Sequence, residues 1–224
     1  AFAARVCGKT AMVVVPKEAR PEKRLAIERL GAEVVDCREN LEDREAVLAE
    51  VMASEPEAVF VPPYDHAEII AGQGTAALEL LEEVGDLDQL WVPIGGGGLA
   101  AGTTIVANGQ IEVICAEPEL ARDAHDSLAM GDLQPAMPPR TVADGLRTAL
   151  GKLNFEILRQ NRIAVVLVDD EAILRAMALI WNRLKIVVEP SAAVCLAAML
   201  LDPQRVAKRA GIILSGGNIS PPKP

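Results

Sequence analysis

Short apolar runs alternate with amphipathic stretches along the whole of this sequence. TAMVVV (10–15) is a β-branched run closed by Pro16, and RPEKRLAIERLG (20–31) sets Leu25, Ile27 and Leu30 on a helical stretch that Gly31 would stop. AEVVDC (32–37) predicts a strand, LEDREAVLAEVMAS (41–54) a helix and EAVFVP (57–62) a further strand. The pattern then repeats with longer elements. Helices are predicted over GTAALELLEEVG (74–85), LAAGTTIVANG (99–109), DDEAILRAMALIWNRL (169–184) and SAAVCLAAMLL (191–201). Strands are predicted over QLWVPI (89–94), IEVICAE (111–117), IAVVLV (163–168) and AGIILS (210–215). Strands separated by helices need crossover connections, so the chain reads as α/β with a mostly parallel sheet. FVPPYDHAEIIAGQGT (60–75), rich in Pro and Gly, is the expected hinge between two lobes, and the tail PPKP an expected frayed end.

Composition narrows the classes. Half of the 224 residues are hydrophobic, enough for a packed core. A formal charge of −10 argues against a nucleic-acid surface, which needs a basic face. No apolar run reaches the ~18 residues of a membrane span. The start, AFAARVCGKTAMVVVP, lacks the layout of a secretory signal, because Lys9 and Thr10 break its apolar stretch. Cys7, Cys37, Cys115 and Cys195 show no C-x-x-C spacing, so reduced thiols and a cytoplasmic location are expected. Two histidines leave little for a histidine-based metal site.

The candidate chemistry starts at WVPIGGGGLAAG (91–102). Four glycines, Gly95, Gly96, Gly97 and Gly98, stand between a predicted strand and a predicted helix. Either packing requires them or their amides, backed by the helix N-terminus, form a phosphate site at a strand's carboxyl end. Two commoner phosphate motifs fail. GKT (8–10) lacks the P-loop's first glycine, since residue 3 is alanine, and a G-x-G-x-x-G reading from Gly95 meets Ala100 at its last position. LSGGN (214–218) is a turn, or a turn that offers the Ser215 hydroxyl to a ligand. In CAEPELARD (115–123), Glu117 and Asp123 suit a hard cation, although spacing alone favours a solvated acidic loop. In VEPSAAV (188–194), Pro190 and Ser191 are explained mainly by helix capping.

Taken in order, PPYDHAEIIAGQGTAALEL, VPIGGGGLAAG, AEPELARD, PRTVADGL, EPSAAV and LSGGN resemble the blocks of the fold type II enzymes dependent on pyridoxal phosphate (PLP). The similarity is to the threonine/serine ammonia-lyase and serine racemase branch and runs from residue 1 to about 219. It implies a doubly wound, mostly parallel α/β fold of the tryptophan-synthase-β type, with a small domain over 1–65 and a large cofactor domain over 66–224. It also implies that Gly95 to Gly98 cradle the PLP phosphate, that Ser215 bonds the pyridine nitrogen, and that Gly145 and Glu189 lie near the cofactor. Glu117, Asp123 and the carbonyl of Ala121 would hold Mg²⁺, Mn²⁺ or Ca²⁺, and the assembly would be a homodimer acting on a small amino acid.

One departure bears on activity. The family's Schiff-base lysine lies in an early S-x-K-x-R-type block, and its substrate carboxylate sits in an S-S-G-N-H loop. Neither block occurs among these residues, which align as a chain truncated at its N-terminal side, and none of the lysines, Lys185 included, falls in a matching block. Covalent catalysis and the Cα base would be lost together. No catalytic residue is therefore assigned. The expectation is the family's β-elimination of L-threonine or L-serine to an oxoacid and ammonia, with this chain inactive alone. Serine racemisation and a non-catalytic PLP-binding paralogue or fragment are the alternatives.

Overall fold

β-branched runs and amphipathic stretches become strands and helices in two compact units, one of Ala1–Val61 with 218–219 and one of Pro62–Gly217. The computed structural model describes residues 1–219 apart from 20, 39, 40, 137 and 139, with only the backbone at 22, 41 and 42; the PPKP tail lies outside the described residues.

The first unit runs α1 (Phe2–Val6), β1 (Met12–Pro16), α2 (Pro21–Arg29), β2 (Glu33–Cys37) and α3 (Leu41–Ser54). β1 and β2 pair in parallel with Val13 opposite Val34 and Val14 opposite Val35. Arg24 donates to Asp36 at 2.7 Å, tying α2 to β2. The strand predicted over 57–62 does not form. Its composition suits a strand, but among the described residues β1 and β2 pair only with each other, and Val59 and Val61 stand 84% and 69% exposed. A strand exists only through a partner.

The second unit runs α4 (Ala67–Val84), β3 (Gln89–Pro93), α5 (Gly98–Ala107), β4 (Glu112–Pro118), α6 (Asp123–Met130), α7 (Lys152–Gln160), β5 (Ala164–Val168), α8 (Asp170–Leu184), α9 (Pro190–Leu201) and β6 (Ala210–Ile212). Among the described residues its strands are parallel in the order β5-β4-β3-β6. Successive side chains leave a strand on opposite faces, and the two cores follow that rule. Trp91, Ile114, Ala116 and Val168 pack with α8 and α9 on one face. Leu90, Val92, Val113 and Cys115 pack with α4, α5 and α7 on the other. Helices on both faces make the unit doubly wound.

The tract 60–75 is not all hinge: α4 starts at Ala67 and takes in Gly72 and Gly74. Gly74 is needed for close approach, since a Cβ there would lie 3.0 Å from the carbonyl oxygen of Gly102 on α5. The short helices α1, α6 and α7 extend the predicted set. Among the described residues no helix is long and apolar enough to cross a membrane.

Candidate functional site

β3 leads outward to β4 and β5 on one side, while β6 returns on its other side. A crevice outside the carboxyl ends of strands, where the order reverses, is where open α/β sheets take ligands. Both glycine-rich segments sit there. Gly95 to Gly98 follow β3 and are buried, and Gly97 caps α5 in the left-handed region at φ 89°. The segment after β6 stays beside β3, with the Ile213 amide donating to the Trp91 carbonyl at 3.0 Å. Continuing that register sets Ser215 level with the start of the glycine loop. Ser215 is exposed, and among the described residues its hydroxyl has no hydrogen-bond partner.

Other predicted residues are drawn to the same edge. A Cβ on Gly95 would lie 3.0 Å from the Cα of Leu146, next to Gly145. The Gly145 amide donates to the Ser191 hydroxyl at 3.0 Å, so Ser191, second residue of α9, does more than start a helix: its oxygen holds the Gly145 turn. A Cβ on Gly145 would stand 3.8 Å from Glu189 Oε1, and one on Gly216 2.6 Å from the same oxygen. The Glu189 amide donates to the Gly216 carbonyl at 3.0 Å. The glycine loop, the Gly145 turn, Glu189 and the Ser215 segment thus form one contiguous set.

Packing also accounts for the glycines. A Cβ on Gly96 would meet the Tyr64 ring at 2.5 Å, one on Gly97 the Leu150 Cδ1 at 2.7 Å and Asn154 Cβ at 2.9 Å, and one on Gly98 the Tyr64 carbonyl at 3.0 Å. Packing thus accounts for the missing side chains, whose space is filled by protein, and the first amides of α5 have no carbonyl one turn earlier to bond. Tyr64, Asp65 and Asn154 escaped the sequence reading. Asp65 accepts from the amides of Lys152 and Leu153 at 3.0 Å each and from Asn154 at 3.2 Å, capping α7 from outside its own segment. The signal was there in YDH and GKLNFEIL, an aspartate and an unread amphipathic stretch, but nothing local joins them.

The acidic pair lies at the end of β4. Glu117 and Asp123 are buried at 0% and 4% exposure. Glu117 accepts from the Ala124 amide at 3.0 Å and the His125 amide at 2.8 Å, and Asp123 from the Leu150 amide at 2.8 Å. Burial pushes the Glu117 carboxyl up to about 8, with the two amides opposing and the Asp123 and Asp126 charges adding. Burial raises Asp123 too, against its bond from Leu150. Ala121 is buried in the 3-10 turn Glu119–Ala121 between them. Among the described residues no three His, Cys, Asp or Glu side chains gather as a metal site. Any cation here would need a backbone oxygen as third ligand. Asp123 also connects the pair to the glycine loop, because Leu150, which it holds, packs on Gly97. Lys185 ends α8, exposed, in a left-handed conformation.

Comparison with known proteins follows the same outline. The family model described as pyridoxal-phosphate dependent enzyme matches residues 1–216. The chain is 42% identical to serine racemase of Dictyostelium discoideum, over 97% of this chain and 69% of that protein. It is 39% identical to L-threo-3-hydroxyaspartate ammonia-lyase of Saccharomyces cerevisiae, over 98% of this chain and 68% of that protein. Among solved structures, the maize serine racemase superposes with a TM-score of 0.92 at 38% identity, covering 98% of this chain and 69% of that one. A threonine deaminase superposes with a TM-score of 0.91 at 40% identity, covering 98% of this chain and 74% of that one.

Proposed function

This chain belongs to the pyridoxal-phosphate dependent enzyme family, and on that premise we propose that its second unit binds pyridoxal phosphate at the β3/β6 edge. The chemistry it serves is β-elimination from a small β-hydroxy amino acid, L-threonine or L-serine, to an oxoacid and ammonia. The observation that carries this reading is the convergence of the Gly95–Gly98 loop, Gly145, Glu189 and the Ser215 segment on one strand-order reversal.

The residues present fit the cofactor. Glycine amides at the start of α5 suit a phosphate dianion, and one strand over the exposed Ser215 hydroxyl suits a pyridine nitrogen. A neutral partner there leaves the ring nitrogen without a proton, which moderates electron withdrawal. Glu189, anchored by its amide to Gly216, closes the edge from the α9 side. Bound pyridoxal phosphate supplies the electron sink that lets the Cα proton of an amino acid leave. These residues include no lysine in a block like that of the family, so the chain alone holds the cofactor reversibly and does not turn over amino acid. Glu117, the Ala121 carbonyl and Asp123 form the cation site of this reading. Their all-oxygen set suits Mg²⁺, Mn²⁺ or Ca²⁺, and a cation would offset the cost of two buried carboxylates. The small domain, bounded near residue 65, a homodimer and a cytoplasmic location complete it. Serine racemisation is the second reading, favoured by the 42% identity to a serine racemase.

The test is a titration of the purified chain with pyridoxal phosphate, followed by absorbance and by quenching of Trp91 and Trp181, then borohydride reduction and assays for oxoacid and D-serine. Saturable binding that dialysis reverses, with neither product formed, supports the proposal. A reduced adduct on one mapped lysine, with turnover, refutes the claim of inactivity, and oxoacid against D-serine then separates lyase from racemase. No saturable binding overturns the reading.

A further inference from the structure

We propose that Asn154 is a positioning residue for the glycine loop, an inference that rests on the phosphate-cradle reading above. Asn154 is fully buried at the third position of α7, 58 residues along the chain from Gly96. Its Nδ2 donates to the Gly96 carbonyl at 2.7 Å and lies 3.4 Å from the Tyr64 carbonyl. The Gly151 amide donates to the same Gly96 oxygen at 3.1 Å. Two donors from the start of α7 therefore fix one carbonyl of the loop.

The consequence follows from peptide geometry. The peptide joining Gly96 to Gly97 is trans, so its N–H points opposite to its C=O. With the Gly96 oxygen drawn into α7, the Gly97 N–H is directed to the far side of the loop, ahead of the first amides of α5, which have no carbonyl one turn earlier. Gly97, at φ 89°, then turns the chain into the helix. Rotation of this one peptide would replace a donor by a carbonyl oxygen, which an anion repels.

Packing alone does not call for an amide at this position. Among the described residues Asn154 Oδ1 is buried without a hydrogen-bond partner, a cost that a leucine of similar shape would remove. What the amide adds is the bond to Gly96. Asp65 holds the Asn154 backbone from the other side, so the side chain starts from a fixed point.

The experiment compares affinities for pyridoxal phosphate and for pyridoxal, which lacks the phosphate, by tryptophan quenching on the full chain and on Asn154→Leu, Asn154→Asp and Asn154→Ser. Asn154→Leu should keep the thermal midpoint and the pyridoxal affinity while losing about tenfold in pyridoxal phosphate affinity, the worth of one lost oriented donor. Asn154→Asp, which sets an oxygen against the Gly96 oxygen, should lose more. Asn154→Ser, which keeps a donor, should lose less and decides the matter if the leucine variant fails to fold. Variants that keep the wild-type preference for the phosphorylated form overturn the role of Asn154 and leave the cradle standing. A wild-type chain with no such preference overturns the cradle and this inference with it.

Discussion

Gly102 on α5 and Gly74 on α4 meet backbone to backbone: a Cβ built on Gly102 would lie 2.6 Å from the Gly74 nitrogen and 2.5 Å from the Ile70 carbonyl oxygen. The helix behind the glycine loop is thus seated against a neighbour at a distance that only glycine permits. Gly102→Ala should lower the unfolding free energy by about 1–3 kcal/mol, because the overpacking outweighs alanine's better helix propensity. Gly72→Ala, on the same α4 with open space around it, should raise stability by about 0.5–1 kcal/mol. Urea denaturation of both variants checks the contrast, and equal effects would show that the close approach is not decisive.

Gly97 faces two demands, a positive φ and the side chains of Leu150 and Asn154. Gly97→Ala should cost about 2–4 kcal/mol of stability, part from the left-handed backbone and part from the clash. Pyridoxal phosphate affinity should fall with it even at temperatures where the variant is folded. Calorimetry and the quenching titration measure the two losses separately.

Burial of Glu117 should make stability depend on pH, and the proposed cation site should make it depend on cations. The Glu117 pKa in the folded chain is raised to about 8 from an ordinary 4.5. The folded state then binds the proton more tightly than the unfolded state between those values, so stability is highest at the acid end and falls as pH rises through the window. Glu117→Gln should flatten the fall between pH 5 and pH 8, although it loses part of the bonding to the Ala124 and His125 amides. Millimolar Mg²⁺ at pH 8 should raise the thermal midpoint of the wild type and not of the variant. A wild type indifferent to pH and cation alike would remove the basis for a site there.

Asp65 caps α7 across 87 residues of chain, accepting from three amides of its first turn. Asp65→Ala should destabilise the second unit by about 1–2 kcal/mol, the usual cost of a lost N-terminal cap. Asp65→Asn, which keeps one acceptor, should cost less. Hydrogen exchange at Lys152, Leu153 and Asn154 localises the effect: faster exchange spread evenly over the chain would contradict the capping role.

Much of the fold was legible in the sequence because periodicity is local. β-branched runs at QLWVPI and IEVICAE and the amphipathic stretch from 169 to 184 carry their structure within one window, and alternating faces follow from the two-residue repeat. The strand-to-helix position of the glycines was equally plain, whereas Ser215, read as the end of the strand 210–215, lies beyond β6, which stops at Ile212. Other features depended on contacts between distant segments. EAVFVP has strand composition yet forms no strand, since pairing decides and not propensity. The Pro/Gly tract from 60 to 75 resembled a hinge because the reason for Gly74 is a neighbouring helix. Ser191 looked like a cap until Gly145, 46 residues away, was seen to donate to it. Asn154 reaches Gly96 only because the parallel order β5-β4-β3-β6 sets α5 and α7 on the same face of the sheet. Residue chemistry and local period are properties of the chain by itself, whereas which carbonyl a buried amide meets is decided by the packing of whole elements.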